Sequence, residues 1–292
     1  MNEKVIKSYK GFDKDMKCRD FQYEVGKEYN MDGEIKCCNR GFHACKSPLE
    51  VWDYYDMLNS RFAEVEQTGK IDEEEKSTKV CSSHIKIKAE LKLADIVNIG
   101  VEWLKDITSP SKVKADGVLN DNGDRRKQIG SSGYSAQIGS SGDSAQIGSS
   151  GYSAQIGSSG DSAKIGSSGD SAKIGSSGDY AKIGSSGDYA QIGSSGYSAQ
   201  IGSSGDSAQI GSSGDYAKID STGEDSVIMC AGNISKAKAK IGSWITLAEW
   251  EWSDKKKRDV PVCVKTEYVD GENIKADTWY QLKNGKFVEV TE

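Results

Sequence analysis

At 292 residues with a formal net charge of −6, the chain has room for two or three small domains. Hydrophobic residues are 36% of the total, glycines number 33 and prolines only three, which speaks against both an extensive conventional core and a Pro/Gly-rich linker. Net charges of −1, −3 and −2 over residues 1–127, 128–219 and 220–292 argue against phosphate-backbone binding and against duplex mimicry as the main role.

The chain opens Met1-Asn2-Glu3-Lys4-Val5, without the apolar stretch of a secretory leader, and no later run reaches the length of a membrane span. The expected location is therefore the cytoplasm, with the seven scattered cysteines as reduced thiols.

Residues 1–123 read as an α+β domain. Ser47 to Tyr55 predicts a capped helix with Pro48 in its first turn. Arg61–Glu66 and Ser83–Lys88 alternate as strands, and Leu91 to Leu104 predicts a second helix. Cys37, Cys38, His43 and Cys45 lie within nine residues, with Cys18 upstream. These are zinc-ligand types, but the spacing forms no CxxC pair, so no metal is expected and small buried thiols are the preferred account. His43 and Cys45 are weak candidates for a base and nucleophile, since i,i+2 residues of a strand share a face without having to touch. His84, in phase with Lys86 and Lys88, reads as a surface residue.

From Gln128 to Ala217 the sequence repeats a unit of the form QIGSSGDSA ten times, with Lys for Gln and Tyr for Asp or Ser at some positions. Isoleucine returns every nine residues from Ile129 to Ile219, and alanine from Ala136 to Ala217. Within each unit Ala-(Gln/Lys)-Ile has the period of a strand, and Gly-Ser-Ser-Gly reads as a bend that permits positive φ. A single unit cannot bury its own isoleucine, whereas stacked units build a continuous ladder. Full burial at about 1.5–3 kcal/mol per isoleucine suffices to drive assembly. Nine residues are too few to enclose an interior, so two units per turn are expected, about 18 residues, with an isoleucine ladder on each of two facing sheets. Ten units then make about five turns and a rod roughly 24 Å long.

That register ranks the outward residues. Tyr134 and Tyr152 stack on one side; Tyr180 and Tyr216 share a face with Ser144, Ser162 and Ser198. With Tyr189 and Tyr197 these tyrosines are the candidate binding residues, because exposed Tyr beside Ser suits an adaptable contact surface. Stacking that merely stabilises the ladder is the competing account. Calcium is not expected: Asp follows Gly directly in Gly142-Asp143, and Tyr takes that place at Tyr134, Tyr152 and Tyr197, which a carboxylate ligand would not tolerate. A flat serine-rich ice-binding face is a remoter option.

Beyond Ile219 the repeat decays, as a solenoid end does. Ser243–Leu247, Val260–Lys265, Thr278–Leu282 and Lys286–Val290 read as strands, the last two joined by Asn284-Gly285, a strong hairpin signal. Trp244, Trp250, Trp252 and Trp279 are expected to fill the core of a small cap, in preference to an aromatic sugar or nucleotide site. The fold class is thus mostly β: a nonapeptide-repeat parallel β-solenoid (124–228) between an α+β N-terminal domain (1–123) and a small β-rich C-terminal domain (229–292).

Two resemblances add to this reading. Tyr9-Lys10-Gly11-Phe12, Gly41-Phe42-His43-Ala44-Cys45 and Arg61–Glu66, with a helix between the last two, resemble the opening layout of ADP-ribosyltransferases, which implies a nicotinamide pocket. Here Lys10 stands for the usual Arg or His, His43-Ala44-Cys45 replaces the Ser/Tyr motif, and no convincing catalytic Glu motif follows. The chain as a whole, through Tyr9–Tyr29, Gly41–Tyr55, the Gly-Asp-Ser-Ala nonapeptides and the ending from Gly242 to Val290, is similar to an uncharacterised family encoded by phages and gut bacteria. That likeness implies a phage setting and a role against a host factor.

The function expected is non-enzymatic protein binding or scaffolding, in concrete form an inhibitor of a bacterial host or defence protein. The alternatives are an ADP-ribosyltransferase-like, NAD-using enzyme with Lys10, His43 and Cys45 as weak catalytic candidates, or a structural or adhesive phage component. No cofactor is expected. The expected partner is a protein of the bacterial host, with no membrane or nucleic acid, and homo-oligomerisation stays open.

Overall fold

The computed structural model describes residues 4–74, 77–108, 118–120 and 127–291, in two compact units, Met1–Trp103 and Leu104–Glu292. The boundary expected at residue 123 lies outside the described residues.

The first unit contains strands β1 (Ile6–Phe12), β2 (Lys17–Cys18), β3 (Phe21–Gln22), β4 (Glu28–Asn30), β5 (Phe42–Cys45), β6 (Arg61–Glu73) and β7 (Lys79–Leu91), and helix α1 (Leu93–Thr108) follows them, its last turn counted with the second unit. The main sheet runs β4-β7-β5-β1-β6, and β6 also pairs with β7, so the antiparallel strands close on themselves. Alternation buries Ala63 and Val65 on β6 and Ile85 and Ile87 on β7, against Phe12, Tyr23 and Phe42. Inside this ring Gln67 is fully buried and satisfied: its carbonyl accepts from Ser8 Oγ at 2.6 Å, and its amide donates to the Phe42 carbonyl at 2.7 Å. Helix α1 buries Ile96, Val97, Val101 and Leu104, and the Asp95 carboxylate accepts the Lys92 N–H at its start, at 2.8 Å, which satisfies one orphan donor. The helix expected over 47–55 is instead a short 3-10 helix, Leu49–Asp53, preceded by Pro48 and without a side-chain cap. Its apolar Leu49, Val51 and Trp52 are all buried, so packing rather than capping holds it.

The second unit contains a parallel β-solenoid of about seven turns with about 18 residues per turn, two turns more than the repeats alone suggest. Strands of the form Gln-Ile-Gly-Ser alternate between two nine-stranded sheets; Ile138 pairs with Ile156 in one, and Ile147 with Ile165 in the other. The extra rungs come from outside the recognisable repeat. Val118–Asn120 pairs in register with Gln137–Gly139, and Trp244–Leu247 with Val227–Cys230. Every isoleucine of the ladder is buried, from Ile129 at 8% to Ile183 at 0% exposure. At about 2 kcal/mol each this burial is the main stabilising term.

The corner differs from the expected bend. Gly-Ser of each unit belongs to the strand, and the left-handed residue is the eighth of the unit, as in Ser162 (φ 56°), Tyr180 (φ 56°) and Ser198 (φ 53°). The aspartates at the seventh place fasten successive corners: Asp161 Oδ1 accepts the Asp179 N–H at 2.9 Å, and Asp179 Oδ1 accepts the Tyr197 N–H at 2.8 Å. These carboxylates are committed to backbone donors one turn on.

The inward serines present an unusual feature. Ser167, Ser185 and Ser203 are fully buried, and their hydroxyls have no hydrogen-bond partner among the described residues. A desolvated, unpaired hydroxyl costs stability. Ser185→Ala is therefore expected to be neutral or to stabilise the solenoid by up to about 1 kcal/mol, measured by chemical denaturation. A loss of similar size would show that the hydroxyl has a partner.

At the C-terminal end each sheet receives antiparallel strands. Arg258–Tyr268 pairs with Trp244–Ser253, and Tyr280–Lys283 meets Lys236–Lys238 and turns back into Lys286–Glu289. The turn residues Asn284 and Gly285 have φ of 51° and 64°, as a tight two-residue hairpin requires. The Glu249 carboxylate accepts both their N–H groups, at 2.6 and 2.8 Å, and so ties one sheet to the other. Strand Val227–Cys230 spans the junction expected at 228, and the strands beyond it prolong the solenoid sheets. The tryptophan expectation needs correction: Trp279 is buried, but Trp244 and Trp252 are 47% and 60% exposed, at outward positions of their strand, where Trp244 meets the Tyr268 ring at 5.0 Å.

Candidate functional site

Two features of the fold gather the candidate residues. The first is a cavity of about 930 Å³ in the N-terminal domain, bounded by β1, the segment from Cys18 to Tyr23, β5, the turn after the 3-10 helix and Lys79 at the start of β7. Gly11 makes room for one wall: a Cβ there would lie 2.3 Å from the Tyr55 ring. The cavity brings together four residues suggested by the sequence, Lys10, Cys18, His43 and Cys45, with Cys38 at its edge.

Their environments differ from one another. Lys10 is 4% exposed and donates to the His43 carbonyl at 3.1 Å. Its ammonium also faces the Phe12 and Tyr23 rings at 5.5 and 5.3 Å. Burial, opposed by the neighbouring Cys18 thiol, pulls its pKa down. His43 Nε2 accepts the Cys38 N–H at 2.9 Å, which places its proton on Nδ1. Burial first and the Lys10 charge second push His43 down, so the ring is neutral and its free lone pair is occupied. The Cys45 thiol is pushed up, chiefly by burial and then by Glu50. A protonated thiol is a poor nucleophile.

Cys18, Cys37 and Cys38 each have a partner other than a metal. Cys18 Sγ lies 3.0 Å from Tyr55 Oη, Cys37 Sγ donates to the Asp72 carbonyl at 3.2 Å, and Cys38 Sγ lies 3.4 Å from Lys79 Nζ. Burial raises Cys37 to about 11. Among the described residues no group of three His, Cys, Asp or Glu side chains is arranged to hold a metal ion. His84 is half-buried rather than a free surface residue, with Nδ1 2.5 Å from Thr68 Oγ1. Arg19, Tyr23, Tyr54, Tyr55 and Lys79 also line the cavity, and sequence reasoning missed them. They come from separate segments with no common spacing.

The second feature is the set of solenoid tyrosines. Tyr134 and Tyr152 stack with ring centroids 5.3 Å apart and planes 11° from parallel, one turn apart as the register predicts. Tyr180 and Tyr216 share one corner rank, and Tyr197 leans between them at 5.7 and 5.1 Å, filling the gap left by small Ser198. Tyr189 stands alone at 63% exposure. All six rings are at least 40% exposed.

Residues 6–99 match the protein-family model of a domain of unknown function, DUF7666. A search of curated proteins and a search of solved structures gave no match.

Proposed function

The chain, an N-terminal DUF7666 domain followed by a β-solenoid, is, we propose, a non-enzymatic binding protein that uses its solenoid tyrosines to hold a protein partner. One observation carries this reading. Tyr180, Tyr189 and Tyr216 occupy left-handed corners with φ of 56°, 57° and 58°, where a bulky side chain is disfavoured. Sister corners hold Ser in the same conformation at Ser162, Ser171 and Ser207. The fold thus accepts the smaller residue at less strain, and the exposed rings are surplus to it. Rigid amphipathic rings with little entropy to lose are what protein interfaces use as anchors. The partner class we favour is a bacterial host or defence protein inhibited by a phage-encoded chain, with a structural or adhesive phage part as the second version. The resemblance read from the sequence motifs alone motivates both.

The test replaces the three clustered rings with the residues that sister units use: Tyr180→Ser, Tyr197→Asp and Tyr216→Ser together. The variant is expected to keep its circular dichroism and melting temperature and to lose at least about tenfold in affinity for the partner captured by the full chain. Undiminished capture by the folded variant would remove the tyrosine ridge from the function.

A further inference from the structure

The N-terminal cavity holds a buried lysine with no carboxylate beside it. Of the three donors on the Lys10 amine, one goes to the His43 carbonyl, and the Phe12 and Tyr23 ring faces and the Cys18 and Cys45 thiols lie around it. A charge in such a place is costly unless an anion joins it. Arg19 and Lys79 line the same cavity, and among the described lining residues the single carboxylate is Asp20. Lys10, Arg19 and Lys79 thus face one and the same cavity. Lys79 is partly engaged by Glu74 at 3.4 Å, which leaves Lys10 and Arg19 as the principal donors. Between them the walls are aromatic, with Phe21 at 46% exposure on the rim and Tyr23 and Phe42 buried.

Three cations against one carboxylate match a dianion better than a monoanion. Ring faces beside them match a planar group, and about 930 Å³ is the size of a pocket for a molecule of that kind. We propose that this cavity binds a phosphate monoester carried on a planar ring, with the phosphate at Lys10 and Arg19 and the ring against Phe21 and Tyr23. The site is separate from the solenoid tyrosines, and its occupancy does not depend on their role.

The experiment is calorimetric titration of the full chain with adenosine 5′-monophosphate, phenyl phosphate, adenosine and inorganic phosphate. Saturable binding of adenosine monophosphate is expected, with adenosine and inorganic phosphate each at least about tenfold weaker, since each offers half of the recognition. Phenyl phosphate binding as tightly as the nucleotide would assign the site to aromatic phosphates at large; a clear preference for the nucleotide would assign it to nucleotides. Lys10→Met is expected to weaken binding about tenfold or more, and Arg19→Ala several-fold, with Lys14→Ala, outside the cavity, unchanged. Arg19 is exposed, so its variant carries the test even where Lys10→Met disturbs folding. Failure of both phosphates to saturate, or affinities unchanged in Arg19→Ala and Lys10→Met, would overturn the proposal.

Discussion

Gly178→Ala is expected to lose about 3 kcal/mol of solenoid stability, and Gly175→Ala, three residues earlier in the same unit, to lose none. A Cβ on Gly178 would lie 2.1 Å from the Gly160 carbonyl oxygen and 2.5 Å from its carbon. Those are backbone atoms of the turn below, which cannot move without spreading the stack. At Gly175 a Cβ meets nothing within 4 Å, and removing a glycine from a strand gains about 0.5–1 kcal/mol by narrowing the unfolded ensemble. Urea denaturation followed by circular dichroism measures both. Equal effects at the two sites would show that the corner does not stack as described. The same geometry explains how the repeat decays. In the units that begin at Lys218 and Val227 the first glycine has become Asp220 and Met229, but the second persists as Gly223 and Gly232. A Cβ on either would come 2.1 Å or less from a carbonyl oxygen one turn back. None of the stacked glycines from Gly151 to Gly232 has a left-handed φ. Close approach, not backbone freedom, selects them.

That distinction marks how far the sequence could be read. The nine-residue beat of Ile129 to Ile219 and the paired ranks of an 18-residue turn were legible, because burial on a strand has a fixed period and identical units must stack alike. Which residue turns the corner was not, since Gly-Ser-Ser-Gly has a turn composition and yet half of it is strand. The outer rungs were hidden for a related reason: Val118–Asn120 and Lys236–Lys238 pair as rungs without the Ile-Gly-Ser of the repeat. In the N-terminal domain the candidates Lys10, His43 and Cys45 were found by type, but their meaning was set by tertiary surroundings. Nothing in Tyr9-Lys10-Gly11 announces that the lysine is buried against Phe12 and Tyr23. Trp244 and Trp252 were misplaced by a sound rule, that large rings are buried, applied to strands whose outward face stays open.

Ile183→Ala is expected to cost about 3 kcal/mol, and Ile129→Ala clearly less. Ile183 is fully buried and stands between Ile165 and Ile201 in its rank, so truncation leaves a cavity bounded on both sides by rungs that cannot collapse into it. Ile129 belongs to the terminal strand of the same sheet, with Ile147 as its one neighbour in the ladder, and is 8% exposed. In a stack where each turn touches only its neighbours, stability is a sum of rung and interface terms. A central defect removes two interfaces and a terminal one removes one. Hydrogen exchange of the two variants separates this from a simple difference in burial. In Ile183→Ala the weakened protection should spread to the rungs on both sides, those of Ile165 and Ile201; in Ile129→Ala it should spread inward only. Uniform loss of protection along the ladder in both would mean that the solenoid opens as one cooperative body, with coupling between turns strong enough to average the defect over its whole length.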